Sequence, residues 1–207
     1  MLHAILLAAG ESSRMGKDNK LLMPWQGRPL IAHMAAMLQQ TAAVQLLVVL
    51  GHEAEAVRAV LPPDTASVIN PHWAEGMTTT IAAGIQAASP AASGYIICLA
   101  DQPLLQSADM DELAAQFQRG LVLNPRAIGV PFYGEQRGNP VFFAAAWRED
   151  LLAQKGKGGC RALVKANAHQ VLRLQAANDH ILHDMDTPEA RSVLLRRRKD
   201  VFSDPAF

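Results

Sequence analysis

The chemistry of this 207-residue chain is concentrated in a few short segments. The first is Leu7-Ala8-Ala9-Gly10-Glu11-Ser12-Ser13-Arg14-Met15-Gly16, which leads to Lys20-Leu21-Leu22. Small residues at Ala8, Ala9 and Gly10 let a ligand approach the backbone, whose N–H groups can donate to anionic oxygens. Arg14 and Lys20 place fixed positive charge beside them. A triphosphate needs both features, donors for its oxygens and cations for its charge. The spacing is not that of a Walker A loop, because Lys17-Asp18 follows Gly16 where Lys-Ser/Thr is required, and GxGxxG is absent. The plain alternative is a glycine-rich surface turn with solvated bases.

Carboxylates come next. Asp101, in Leu99-Ala100-Asp101-Gln102-Pro103, ends the most apolar run of the chain. An acid there is suited to hold Mg²⁺ on a phosphate, since Mg²⁺ is commonly held by one or two carboxylates plus phosphate oxygens. It could equally be a turn residue or a cap. Asp184-Met185-Asp186-Thr187-Pro188-Glu189 could supply the second carboxylate. Asp184 and Asp186 are two apart and would face one side of an extended segment, with Asp186 the better ligand candidate. An ordinary helix start reads the same way. Trp73-Ala74-Glu75-Gly76-Met77-Thr78-Thr79-Thr80 opens a helix with a glycine and three hydroxyls, either a polar-group site or a threonine cap. In Arg137-Gly138-Asn139-Pro140, Asn139 could donate to a substrate, or the segment is a tight bend.

These segments must be held by a scaffold, and the hydrophobic pattern says which. Ala4–Leu7, Gln45–Leu50, Ser67–Asn70 and Tyr95–Leu99 are short apolar runs that read as strands. Between them, Pro29–Gln39, Glu53–Leu61, Thr78–Ala88 and Ser107–Arg119 read as helices. Strand and helix alternate, which predicts an α/β protein with a Rossmann-like, doubly wound, mostly parallel sheet and right-handed crossovers. Ile128–Phe132 and Val141–Phe143 add strands, and Leu163–Ala166, Val171–Leu174 and Ile181–His183 are short pieces. Thr187-Pro188-Glu189 opens a last helix, with threonine as N-cap and proline first inside. The pattern predicts one domain over residues 1–195 and a frayed tail over residues 196–207. The first loop and Asp101 both follow strands, so both belong at the carboxyl edge, where open α/β sheets place ligands.

Composition narrows the function classes. Half the residues are hydrophobic and Lys+Arg equals Asp+Glu, 19 each, for a net charge of zero. That excludes a disordered chain and argues against nucleic acid as partner. The apolar runs are too short to cross a membrane. Cys98 and Cys160 form no CxxC pair, which fits a reduced, cytoplasmic setting.

Taken together and in this order, the segments resemble the molybdenum cofactor nucleotidyltransferases, within the wider family of nucleotide-diphospho-sugar-like NTP transferases. The resemblance spans about Ala4 to Arg191. It rests on Leu-Ala-Ala-Gly-x-Ser-Ser-Arg-Met-Gly, Lys-Leu-Leu, Glu-Gly-Met-Thr-Thr-Thr, Asp-Gln-Pro, Gly-Asn-Pro and Asp-x-Asp-Thr-Pro. It implies that Leu7, Ala8, Ala9 and Gly10 hold a nucleotide, with Arg14 and Lys20 on its phosphates and Gly76, Thr78 and Thr80 lining its side. It implies catalytic roles for Asp101, Lys20 and Arg14, and Mg²⁺ on Asp101 and Asp186. Gly138, Asn139, Pro140 and Arg161 would face the second substrate. Ala9 is similar to the cytidylyltransferases, where the guanylyltransferases have Gly, so the implied partners are CTP and the molybdenum cofactor, with a recipient molybdoenzyme for the product. The implied reaction transfers CMP to molybdenum-molybdopterin and releases pyrophosphate. A sugar or alcohol phosphate as acceptor, and a carrier that binds the cofactor without turnover, are the alternatives. A dinucleotide oxidoreductase is disfavoured by the missing GxGxxG. Many relatives carry Gly-Asp-x-Gly-Ala-Arg where this chain has Gly156-Lys157-Gly158-Gly159-Cys160-Arg161, so the second substrate stays open.

Overall fold

The structure, a computed structural model, describes residues 1–11 and 18–201, with 198–201 as backbone only. Strand β1 (Leu2–Ala8) runs into the first loop. A short 3₁₀ turn (Lys20–Leu22) and a hairpin of β2 (Pro24–Trp25) and β3 (Arg28–Pro29) precede helix α1 (Leu30–Gln39). Then come β4 (Val44–Leu50), α2 (Ala54–Ala59), β5 (Ser67–Ile69), α3 (Met77–Ala87), β6 (Gly94–Leu99) and α4 (Ser107–Leu123). The second half holds β7 (Ile128–Tyr133), β8 (Gln136–Arg137), β9 (Val141–Ala144), α5 (Arg148–Leu152), α6 (Arg161–Ala166), β10 (Val171–Gln175) and α7 (Pro188–Val201).

The main sheet has the order β10-β7-β9-β6-β1-β4-β5, with β8 paired to β7. β1 lies at the centre, parallel to β4 and β6. β9 alone in the path is reversed, antiparallel to both β6 and β7. The expected mostly parallel sheet therefore forms, with one reversed strand.

Alternation along β1 explains the two-sided core. Leu2, Ala4, Leu6 and Ala8 join one apolar cluster with Leu30, Met34, Phe117 and Leu194. Ile5 joins a second cluster with Ile81, Ile85, Leu151 and Val164. Successive strand side chains point to opposite faces, so a strand buried on both faces is apolar throughout. That is why the central strands read as unbroken hydrophobic runs.

Several boundaries differ from the sequence pattern. Leu163–Ala166 belongs to α6, and Ile181 lies in a 3₁₀ turn, Asp179–Leu182. Pro29 caps α1 from outside, and Glu53 sits outside α2 with left-handed backbone. α4 runs to Leu123, and α7 runs to Val201. Thr187 Oγ1 accepts from Ala190 N at 3.1 Å, the expected N-cap. The hairpin of β2 and β3 was not legible as strand, because two-residue strands leave no periodicity to read. No described helix is long and apolar enough to cross a membrane.

Candidate active site

A cavity of about 830 Å³ opens at the carboxyl ends of β1 and β6. Leu7, Ala9 and Gly10 line it from β1, and Leu99, Ala100 and Asp101 from β6. Gly76, Met77 and Thr80 line it from the start of α3. Lys20, Asp184 and Asp186 complete the charged wall.

Lys20 brings the acids together. Its Nζ donates to Asp101 Oδ2 at 2.5 Å and to Asp186 Oδ1 at 2.6 Å. These partners lie 81 and 166 residues away in sequence. Asn19 sets Lys20 in place. Its Oδ1 accepts from Leu21 N at 3.0 Å and caps the 3₁₀ turn, while its Nδ2 donates to Glu53 Oε2 at 2.9 Å. Buried Asn19 was not legible as a site residue, since its partner Glu53 is distant in sequence.

Asp101 and Asp186 are joined through the backbone as well. Met185 N donates to Asp101 O at 2.7 Å. Met185 is fully buried, and the acids on either side of it both reach the cavity. The two-residue spacing therefore does place Asp184 and Asp186 on one side.

Electrostatics follow from burial. Desolvation pulls the Lys20 ammonium down, but Asp101 and Asp186 together more than offset it, so its pKa is raised. Burial pushes Asp101 up, Lys20 opposes it, Asp186 adds to it, and the net shift is upward. Asp184 is pushed up to about 6, by burial first and then by the charges of Asp101 and Asp186. The Gln102 amide and Lys20 pull it the other way. Crowding of carboxylates around one ammonium is unfavourable without further positive charge, and it is typical of functional sites.

A divalent cation fits this donor set. Asp101 Oδ1 is buried and has no hydrogen-bond partner among the described residues, so a lone pair is left for a ligand. Hard oxygen donors suit Mg²⁺ or Mn²⁺. Among the described residues no cluster of three or more His, Cys, Asp or Glu forms a complete metal cage.

The other expected residues are distributed as follows. Arg14 lies outside the described residues, as does the rest of 12–17. Ala8 is buried behind the lining and packs into the core. Thr78 is buried, and its Oγ1 accepts from Gly159 N at 3.1 Å. Gly138, Asn139 and Pro140 do not line the cavity. Gly138 N donates to Pro131 O and Asn139 N to Ile181 O. Arg161 is exposed at the start of α6, also outside the lining.

Residues that lay inside the motifs without an assigned role also form the wall: Glu11, Leu21, Trp73 and Lys157. Gly51 makes room for Trp73, since a Cβ there would lie 2.6 Å from Trp73 Cβ and 2.7 Å from Ala9 Cβ. Gly76 has φ +118°, and a Cβ on it would come 2.9 Å from Lys157 Cα. That contact brings the loop of Lys157 against the start of α3. A smaller groove of about 590 Å³ between β5 and α3 holds Glu75, which is paired with His72, and has no comparable acid cluster.

The comparisons agree with this geometry. The MobA-like NTP transferase domain matches residues 4–172. Nicotine blue oxidoreductase of Paenarthrobacter nicotinovorans is 28% identical over 92% of this chain and 95% of its own length. Molybdenum cofactor guanylyltransferase of Xanthomonas euvesicatoria is 36% identical over 57% of this chain and 56% of its own length. Among solved structures, the homologue of Mycobacterium tuberculosis rv0371c from Mycobacterium sp. strain JC1 superposes with TM-score 0.82, at 25% identity, covering 97% of this chain and 98% of that one. The M. tuberculosis Rv0371c structure in complex with manganese gives TM-score 0.75 at 25% identity, covering 94% and 98%. With the profile matched over most of the chain, and a nucleotidyltransferase sheet carrying its acids at the carboxyl edge, this protein belongs to the MobA-like NTP transferase family.

Proposed function

We propose that this nucleotidyltransferase moves CMP from CTP to molybdenum-molybdopterin, giving the cytosine dinucleotide form and pyrophosphate. The observation that carries the reading is the meeting of Lys20, Asp101 and Asp186 in one cavity with Leu7, Ala9 and Gly10. A terminal phosphate oxygen of the acceptor attacks the α-phosphorus. The new P–O bond forms as the bond to the β-phosphate oxygen breaks, and the electron pair leaves with pyrophosphate. No side chain becomes covalent, so catalysis is positioning plus charge stabilisation.

The residue roles in this reading are specific. Asp101 and Asp186 hold a divalent cation, Mg²⁺ in the cell, which supplies Lewis acidity to the phosphoryl oxygens when bound. The manganese complex of Rv0371c supports a divalent site. Lys20 and Arg14 offset triphosphate charge. Leu7, Ala9 and Gly10 offer backbone to the nucleotide with Ala8 packed behind them, and Gly76 and Thr80 form its other side, with buried Thr78 tying the loop of Gly159 beside them. Arg161 belongs to the acceptor side, and Gly138, Asn139 and Pro140 support that side from behind the cavity wall through Pro131 and Ile181. The relative named as a molybdenum cofactor guanylyltransferase supports this acceptor, and Ala9 is the reason for CTP over GTP. A recipient molybdoenzyme would take the product, in the cytoplasm.

The test is nucleotide choice. The protein is mixed with Mg²⁺, molybdenum cofactor and CTP, GTP, ATP or UTP separately, and pyrophosphate release is measured. Release with CTP alone is expected. Release with GTP would overturn the role of Ala9. Release only with a sugar or alcohol phosphate as acceptor would replace the pterin. The alternative that the same assay separates is a carrier that binds the cofactor without turnover. Cofactor binding with no pyrophosphate release from any nucleotide would favour it.

A further inference from the structure

Two motifs found in the sequence, Asp-Gln-Pro and Gly-Asn-Pro, converge on a single backbone atom, the carbonyl oxygen of Ile181. Gln102 is fully buried, and its Nε2 donates to Ile181 O at 3.1 Å. Asn139 N donates to the same oxygen at 3.1 Å. A Cβ on Gly138 would lie 2.4 Å from that oxygen and 2.8 Å from Ile181 Cδ1, so only glycine permits the approach. Neither Gln102 nor Gly138–Asn139 lines the cavity.

The geometry points to Gln102 and Gly138 as positioning residues that set the separation of the Asp101 and Asp186 carboxylates. This rests on the reading that those carboxylates hold the divalent cation. Ile181 begins the run to Asp186, and Gln102 directly follows Asp101. The bond from Met185 N to Asp101 O, 2.7 Å, joins the two segments at one point. A single hydrogen bond leaves a swivel. The Gln102–Ile181 bond, from the next residue to four residues upstream of Met185, adds a second point of attachment and removes it. The far side of the Asp101 segment is pinned too, since His33 Nε2 donates to Pro103 O at 3.2 Å. Metal affinity depends on ligands held at fixed distances, and partners one shell out from the ligands commonly matter about 10–100-fold.

The test is Mn²⁺ binding to the full chain, followed by electron paramagnetic resonance, beside the steady-state kinetics of pyrophosphate release. Gln102→Leu and Gly138→Ala are each expected to weaken Mn²⁺ binding by about 10–100-fold. Each should lower kcat and leave the KM for CTP within about threefold, because neither residue touches the cavity. Trp147→Phe is the control. It removes a partly buried side-chain-to-backbone bond, Nε1 to Arg126 O at 2.8 Å, from a buried side chain away from the cavity. It should lower the melting temperature and leave Mn²⁺ affinity unchanged. Parent-like Mn²⁺ binding in both variants would overturn the positioning role while the metal site stands. An equal loss in Trp147→Phe would also overturn it, as general loosening. No Mn²⁺ binding by the parent protein would overturn the metal site itself, and this role with it.

Discussion

Replacing Lys20 with methionine removes a charge and keeps a side chain of similar length. Lys20, Asp101 and Asp186 are 15%, 14% and 28% exposed at their side chains, so solvent screens them little. Removing one partner of a buried pair typically costs about 3–5 kcal/mol, because the other charge is left in a poor solvent. The loss has a ceiling, since a stranded carboxylate can take up a proton instead. Protonating a carboxyl of ordinary pKa at pH ~7 costs about 1.36 kcal/mol for each of roughly three pH units, or about 4 kcal/mol. The ceiling falls to about 1.5 kcal/mol at pH ~5.

The sign of the pH effect follows. In Lys20→Met the folded carboxylate has a pKa above its unfolded value, so the folded state binds more protons between the two. The variant therefore gains stability as pH falls. In the parent, the raised pKa of Lys20 contributes stability that is complete below the ordinary lysine value, and is lost only as pH rises through the higher folded one. The assay is urea unfolding with EDTA at pH ~5, ~6 and ~7.5. The expected deficit is about 3–5 kcal/mol at the highest pH, or about 6–20 °C in Tm for a chain of this size. It should shrink to about 1.5 kcal/mol at pH ~5. Adding Asp101→Asn to the variant should recover much of the loss. A deficit under ~1 kcal/mol that does not change with pH would refute the reasoning.

Other outcomes follow from the same geometry. Asp101→Asn should lower kcat for pyrophosphate release by about 10²–10³ while the melting temperature stays at or above the parent's, because a buried charge is removed; EDTA should abolish the parent's activity and Mn²⁺ restore it. Asp109 accepts from His180, Asn178 and Gln106, and although burial pushes its pKa up these bonds hold it below the ordinary value. Its contribution is present above the unfolded carboxyl pKa and lost as pH falls through the folded one, so acid unfolding curves of Asp109→Asn and parent should differ near neutrality and converge in strong acid. Gly76→Ala places a Cβ against Lys157 Cα at a backbone angle that favours glycine, which should cost about 1–3 kcal/mol in urea unfolding and raise the KM for nucleotide.

Much of the scaffold was legible because its causes are local. The apolar runs at Ala4–Leu7, Gln45–Leu50 and Tyr95–Leu99 are continuous because these strands are buried on both faces. Thr187-Pro188 announces a helix start by chemistry confined to four residues. What failed was equally physical. Ile181 lies in a four-residue 3₁₀ turn and α6 has six residues, so neither piece is long enough to show a period. The reversal of β9 has no sequence signature, because pairing direction depends on where the chain returns.

The site divides along the same line. Sequence by itself determined the chemical inventory: small residues after the first strand, an acid after β6, two acids before α7, and Lys20. Their types and their positions at strand ends are properties of short segments. Only the tertiary structure decided that Lys20 lies between Asp101 and Asp186, that Asp184 and Lys157 share the cavity, and that Gly138–Asn139 braces Ile181 instead of lining the wall. Those contacts join residues up to 166 apart. They are set by sheet order and by close approach at Gly51, Gly76 and Gly138, which no local propensity encodes.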